Sequence, residues 1–478
     1  MSLPISDHTS TEPEGVKEQP KSPTLKSTIK SFLSHLTPIH RTLLLLLILF
    51  QLFLSVYFTR TPNNSLSKSP PPSPKSQSTD CDSRRIYVYD LPPMFNYQLK
   101  NNCNQLPNIC DNYLNDGFGP EAKEIAGIVP ESIQPAWYMT GQYWGEVLYH
   151  NRMLNYKCRT LEPESATAFY IPFYAGLAVG WGNHSGREHD WYYEELFKWV
   201  QEQVGWKRSN GSDHFIMLGR ITWDFRRLRE ADAVWGSSLL NMPEMQNVIH
   251  LSVERNVWDD LEIAVPYPTV FHPRSESDII EWQRFVRSRQ RNHLFTFLEP
   301  IKNDFQAILE KQCLNEPTAC NHVDCAQDNC VDDVTTAATM TALLDSDFCL
   351  QPMGFAFTQR SVFDCMLAGS IPVFFWRETA HLQYELFMPV EPETYSVFID
   401  RDDVRNGTDI RRVLEGYGRE EVERMREKVV EYMPRFLYAE PNQGLQETRD
   451  AFDIAIEGVL SKYKYHMERG RIGNWNEI

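Results

Sequence analysis

The chain has 478 residues, more than one ordinary hydrophobic core sustains, so two domains with appendages are expected. Its 64 acidic against 47 basic side chains leave a net charge of -17, which offers no broad cationic field for a phosphate backbone and excludes nucleic acid as the expected partner. Aromatic residues make up 12% of the chain, a supply that serves core packing first and sugar stacking second.

Residues 1–41 are rich in Ser, Thr, Pro, Lys and Glu and cannot bury enough surface to offset ordering entropy; they are read as a disordered cytosolic tail. Residues 42–58 (TLLLLLILFQLFLSVYF) form an uncharged run in which Gln51 is the one strongly polar side chain, long enough to cross a bilayer as a helix. No A-x-A-like cleavage site follows, so the run is read as a retained transmembrane signal anchor. Basic residues flank it evenly (Lys26, Lys30 and Arg41 before, Arg60, Lys68 and Lys75 after), and orientation comes instead from the large cysteine-bearing region beyond, which suits the lumen. A span this short fits the thinner membranes of the early secretory pathway. Residues 59–80 carry Pro62, Pro70, Pro71, Pro72 and Pro74 among serines and are read as an extended stem.

Residues 81–275 are expected to form a first α/β domain. Apolar, β-prone runs at 86–89, 168–172, 214–218 and 248–253 alternate with helical stretches at 142–156 and 191–204, the pattern of a mostly parallel sheet. Turn residues and a charged helical period at 271–291 mark the crossing to a second domain, residues 276–443. There, strands at 293–298, 348–351 and 371–375 alternate with helices at 304–312 and 361–368. Residues 444–478 read as a long closing helix and tail.

Ten cysteines are present. Cys313, Cys320, Cys325 and Cys330 crowd one polar loop with the spacing C-x6-C-x4-C-x4-C; the lack of a C-x2-C knuckle, with His322 alone nearby, favours disulfides over zinc. Disulfides need an oxidising compartment. Asn-x-Ser/Thr sequons at Asn63, Asn183, Asn210 and Asn406 lean the same way.

The window 345–375, DSDFCLQPMGFAFTQRSVFDCMLAGSIPVFF, reads as strand, glycine-bearing loop, helix and buried strand. In open α/β sheets ligands sit beyond the carboxyl ends of the strands, against helix N-termini that favour a diphosphate. Arg360 and Asp364 lie one helical turn apart on one face. The arginine fork suits phosphate oxygens, and the carboxylate suits two ribose hydroxyls. An ordinary ion pair on a solvated helix face is the alternative, and the apolar neighbours Val362, Phe363, Met366 and Leu367 argue against it.

The same window resembles the signature of the plant exostosin-like transferases, glycosyltransferase family 47, in its xyloglucan galactosyltransferase branch. Other stretches agree in order along the chain: IYVYDLPPMFN, HNRMLNYKC, AFYIPFYAGL, DHFIMLGRITWDFRR, AVPYPTVFHP, ACNHVDC, YSVFI and AFDIAIEGVL. The resemblance implies a GT-B architecture of two facing Rossmann-like domains, and an inverting enzyme without an obligatory metal. It also implies a Golgi membrane location and transfer of galactose from UDP-galactose in β-linkage to xylose side chains of xyloglucan. Gln351, Gly354, Arg360, Ser361 and Asp364 of this window are the candidate residues for the UDP-sugar donor. Where the branch carries FxFAGAPR this chain has FTFLEP at 295–300, where the branch has QPPGDSYTRRS it has QPMGFAFTQRS at 351–361, and its FYAGLAV at 173–179 lacks the branch's Asp. Galacturonic acid or arabinose as the donor sugar therefore remains open. So does a non-catalytic scaffold that holds other Golgi transferases, and so does a carbohydrate-binding membrane protein that takes no nucleotide.

An inverting transfer needs a base for the acceptor hydroxyl and positive charge for the leaving diphosphate. Three residues that follow predicted strands in the first domain are candidate bases: Asp224, Glu254 and His272. Their structural alternatives are pairing of Asp224 with Arg226 or Arg227, pairing of Glu254 with Arg255, and capping of the interdomain turn by His272. Arg220 adds charge over the diphosphate or pairs with Asp224. Trp137, Trp181, Trp191, Tyr192 and Tyr193 are candidate sugar platforms with core packing as the alternative. The triplet Asp345-Ser346-Asp347 is a weak metal candidate.

Overall fold

A computed structural model describes residues 81–101, 114–185, 189–228, 235–323, 337–354, 356–442 and 444–468. The predicted tail, anchor and stem, with Asn63, lie outside the described residues, as do Cys103, Cys110, Cys325 and Cys330. Among the described residues no helix is long and apolar enough to cross a membrane.

The chain is an α/β protein built on two sheets whose every strand pairing is parallel. The first contains β1 (Ile86–Val88), β2 (Arg159–Thr160), β3 (Ala168–Ile171), β4 (His214–Met217), β5 (Ile249–Ser252) and β6 (Glu262–Ala264) in the order β2-β1-β3-β4-β5-β6. The second contains β7 (His293–Phe297), β8 (Cys320–His322), β9 (Ser346–Gln351), β10 (Ile371–Phe374) and β11 (Val397–Phe398) in the order β11-β10-β9-β7-β8. The central strands β3, β4, β5 and β10 are buried along their whole length. Helices cover a parallel sheet on both faces, so such strands read as continuous apolar runs.

Between the sheets the chain passes through the helix Glu276–Ser288, whose Trp282 packs edge-on against Trp137 with centroids 4.7 Å apart. Phe271 joins that cluster, and buried residues from both sheets form one continuous core. The helix Ala451–Glu468 returns to the first sheet. There Phe452 meets Tyr149 and Tyr156, and the buried Asp450 just before it pairs with Arg152 at 3.2 Å. Disulfides join Cys81 to Cys158, Cys313 to Cys320 and Cys349 to Cys365. The last ties β9 to the helix Ser361–Leu367, which carries Asp364.

Candidate active site between the two sheets

Because all strands are parallel, the loops after β4, β5 and β9 leave the carboxyl ends of their sheets, and in this protein those loops touch. Glu254, two residues past β5, is fully buried. It accepts from the Thr358 backbone N–H at 2.7 Å and the Thr358 hydroxyl at 3.0 Å, so the first half grips the 352–360 loop of the second. Its other oxygen accepts from Trp223 Nε1 at 3.2 Å. Burial holds the Glu254 carboxyl above the usual glutamate range, and the bonds from Thr358 and Trp223 oppose that only in part. Tyr384 completes the joint, with its hydroxyl 3.0 Å from that of Thr358 and donating to the Val253 carbonyl at 2.6 Å. Arg255 takes no part in pairing Glu254; it bonds the Leu382 carbonyl and Glu385.

Arg360 makes a second tie across the same boundary. Its guanidinium donates to the Thr140 carbonyl of the first half and to Asp364 at 3.0 Å, and both charged residues are only 5% exposed. The pair is buried, not on a solvated helix face, and each charge compensates the other. Gln351, at the end of β9, and Ser361 bond reciprocally: the Ser361 hydroxyl donates to Gln351 Oε1 at 2.8 Å, and Gln351 Nε2 donates to the Ser361 carbonyl at 3.4 Å. Gly354 stands in the intervening loop, its N–H bonded to the Ala356 carbonyl.

The other base candidates also have their polar atoms engaged, as Glu254 does. Asp224 accepts from Arg220 Nε at 2.5 Å and from Trp235 Nε1 at 2.9 Å, so both oxygens are engaged. The expected alternative partners pair differently, Arg226 with Asp259 and Glu262 and Arg227 with Asp190. His272 has no exposed surface, stacks on Phe118 at 3.7 Å, and bonds through both ring nitrogens, to the Thr140 hydroxyl and the Tyr438 carbonyl, each at 2.7 Å. Burial lowers its pKa to about 3, which keeps the ring neutral. Arg220 lies over the ring of Tyr143 at 4.2 Å and of Trp235 at 5.1 Å.

Of the expected sugar platforms, Trp137 and Tyr193 are fully buried and Tyr192 nearly so; they belong to the core, and Tyr193 donates to the Ala175 carbonyl. Trp191 packs edge-on against Tyr192, and the Trp181 side chain lies outside the described residues. Asp345 and Asp347 stand at the amino end of β9, away from Gln351. Asp345 accepts from Asn292 and His293, and Asp347 from Arg426. His250, Asp259 and Glu262 come within metal-ligand reach of one another, but Arg226 is bonded to both carboxylates. Asn210 and Asn406 are exposed just past helix ends, and Asn183 lies in the helix Ala175–Ser185.

Two buried acids went unread in the sequence. Glu146 accepts from the Gly176 and Leu177 N–H groups at 2.9 and 3.0 Å, and burial pushes its pKa up to about 8. Gly219, at φ +68°, turns the chain beside it, where a Cβ would lie 3.1 Å from the carboxylate. Glu299, past β7, is 8% exposed, and burial raises its carboxyl above the usual glutamate range, with Ser361 and Lys302 opposing the rise in part. Glu146 takes its hydrogen bonds from backbone groups 30 and 31 positions on, which nothing local in the sequence marks.

A model of the exostosin GT47 domain matches residues 80–414. The chain is 49% identical over 395 residues to the xyloglucan galactosyltransferase XLT2 of Arabidopsis thaliana, covering 80% of this chain and 76% of that protein. It is 37% identical to the Arabidopsis thaliana xyloglucan galactosyltransferase MUR3, covering 81% of this chain and 63% of that protein. It is also 34% identical to the xyloglucan-specific galacturonosyltransferase 1 of the same plant, covering 80% of this chain and 57% of that protein.

Proposed function

We propose, from the premise that this chain belongs to the exostosin GT47 family and is a glycosyltransferase, that it transfers galactose from UDP-galactose in β-linkage to xylose side chains of xyloglucan. The observation that carries the reading is the contact between the carboxyl-end loops of two parallel sheets, where Glu254 meets the 352–360 loop. Two all-parallel sheets joined there support a GT-B arrangement, with the acceptor on the first half and the donor on the second.

In this reading the acceptor hydroxyl oxygen attacks the anomeric carbon in line with the leaving group. Glu254 takes the hydroxyl proton, a carbon–oxygen bond forms, and the bond to the diphosphate breaks with its electron pair leaving on UDP. One displacement inverts the anomeric centre. Burial that raises the Glu254 pKa also makes it a stronger base near neutral pH. The donor lies against Gln351, Gly354 and Ser361. Arg360 and Asp364 exchange part of their mutual contact for phosphate oxygens and ribose hydroxyls. We assign the enzyme to the Golgi lumen on a type II anchor, a placement that the disulfides among the described cysteines support.

The test is a donor panel on the purified region from Cys81 onward. A mass increase of one hexose on galactose-free xyloglucan oligosaccharides is expected with UDP-galactose. Transfer from UDP-galacturonic acid alone would move the enzyme to the other donor class. UDP binding without transfer from any donor would favour the scaffold.

A further inference from the structure

Among the described residues, the half-exposed indoles near the candidate site are Trp223 and Trp235, 42% and 44% exposed. A large aromatic left open to water gives up a substantial burial free energy, and isolated cases need no explanation. These two share a feature that does. Each points its N–H inward at a candidate carboxylate, Trp223 at Glu254 (3.2 Å) and Trp235 at Asp224 (2.9 Å). The indole edge is fixed, and part of the ring remains outside.

The backing is rigid. Trp223 sits in the 3₁₀ turn Thr222–Phe225 directly after β4. Trp235 is brought back to that turn by Gly236 at φ +95° and by the Ser237 N–H bond to the Asp224 carbonyl at 2.8 Å. Arg220 lies between Trp235 and Tyr143, its charge paired with Asp224. The Arg220 charge is therefore compensated by Asp224, and what the two indoles leave exposed is aromatic surface. Such a surface fits the C–H face of a neutral pyranose ring, which buries apolar area on an indole while its hydroxyls stay in water.

We propose that Trp223 and Trp235 are the floor on which a neutral polysaccharide acceptor lies, holding its chain against Glu254. The inference rests on the reading of Glu254 as the base and adds the acceptor subsite. It replaces the platforms expected from Trp137, Tyr192 and Tyr193, which the core consumes.

The variants Trp223→Ala, Trp235→Ala, Trp223→Phe and Trp235→Phe test it. Phenylalanine keeps a stacking face and loses the N–H to the carboxylate, whereas alanine loses both. Each alanine variant is expected to raise KM for xyloglucan oligosaccharides about tenfold with UDP affinity unchanged, and each phenylalanine variant to recover most of that loss. Phenylalanine variants that fall as far as alanine, with the loss in kcat, would assign the indoles to positioning Glu254 and Asp224 and overturn the floor. Affinity electrophoresis through xyloglucan, a β-mannan and a pectic polysaccharide separates this outcome from failure of the acceptor assignment. If the wild type is retarded by a neutral polysaccharide other than xyloglucan and the alanine variants are not, the floor stands and the acceptor assignment falls. Alanine variants retarded as strongly as wild type, or a wild type retarded by none, would overturn the floor.

Discussion

Replacing Glu254 by Gln is expected to lower kcat roughly a hundred- to ten-thousandfold while UDP still binds. The amide matches the carboxylate in shape but accepts no proton at neutral pH. It keeps the packing between Trp223 and Thr358 and turns one acceptor oxygen into a donor, so a lower melting temperature accompanies the loss. UDP titration separates a damaged fold from a missing base. The pH profile adds a second readout. A base works only when unprotonated, and burial raises this carboxyl above its usual value of 4.5, so the wild-type kcat/KM falls with pH at a higher point than an ordinary glutamate would set. The variant's residual rate lacks that limb. A Glu254→Gln enzyme within a few-fold of wild type at saturating substrate would remove Glu254 from the mechanism.

Arg360→Ala is expected to cost about 3–5 kcal/mol of stability, because it strands Asp364 at 5% exposure without the guanidinium and cuts the tie to Thr140. It is also expected to weaken UDP binding roughly ten- to a hundredfold, the loss of a charge-assisted hydrogen bond to phosphate. The two effects separate in the double variant Arg360→Met with Asp364→Leu, which buries an apolar pair and leaves no charge unmatched. Melting temperature is expected to recover in that variant and UDP affinity is not. Recovery of both, read by calorimetric titration, would make the pair purely structural.

The strands at the centre of each sheet were legible because burial on both faces demands short unbroken apolar runs, as in AFYI, HFIM and IPVF. The four that went unread, β2, β6, β8 and β11, are the edge strands of the two sheets. Arg159–Thr160 and Cys320–His322 carry polar residues that no hydrophobic run identifies. The helix Ala175–Ser185 holds three glycines and little periodicity, and it too was silent. At the site, pairs one helical turn apart could be read, and Arg220 with Asp224 and Arg360 with Asp364 are such pairs. The contacts that join the two sheets were not legible, because Glu254 to Thr358, His272 to Tyr438 and Arg360 to Thr140 are 104, 166 and 220 residues apart. Nor does an aromatic residue's identity tell whether it is buried, which is why the core residues Trp137 and Tyr193 read as candidate platforms.

A cavity of about 890 Å³ lies at the opposite, amino end of the first sheet, lined by Arg84, Thr167, Asp213 and the helix Ala451–Glu468 among others. It offers a rival location for a ligand, and a crystal structure with UDP decides between the two. UDP is expected at the carboxyl ends of the strands, with Arg360 on the diphosphate and the 351–361 segment along the nucleotide. UDP in the amino-end cavity, with Arg360 still bonded to Asp364 and Thr140, would contradict that placement.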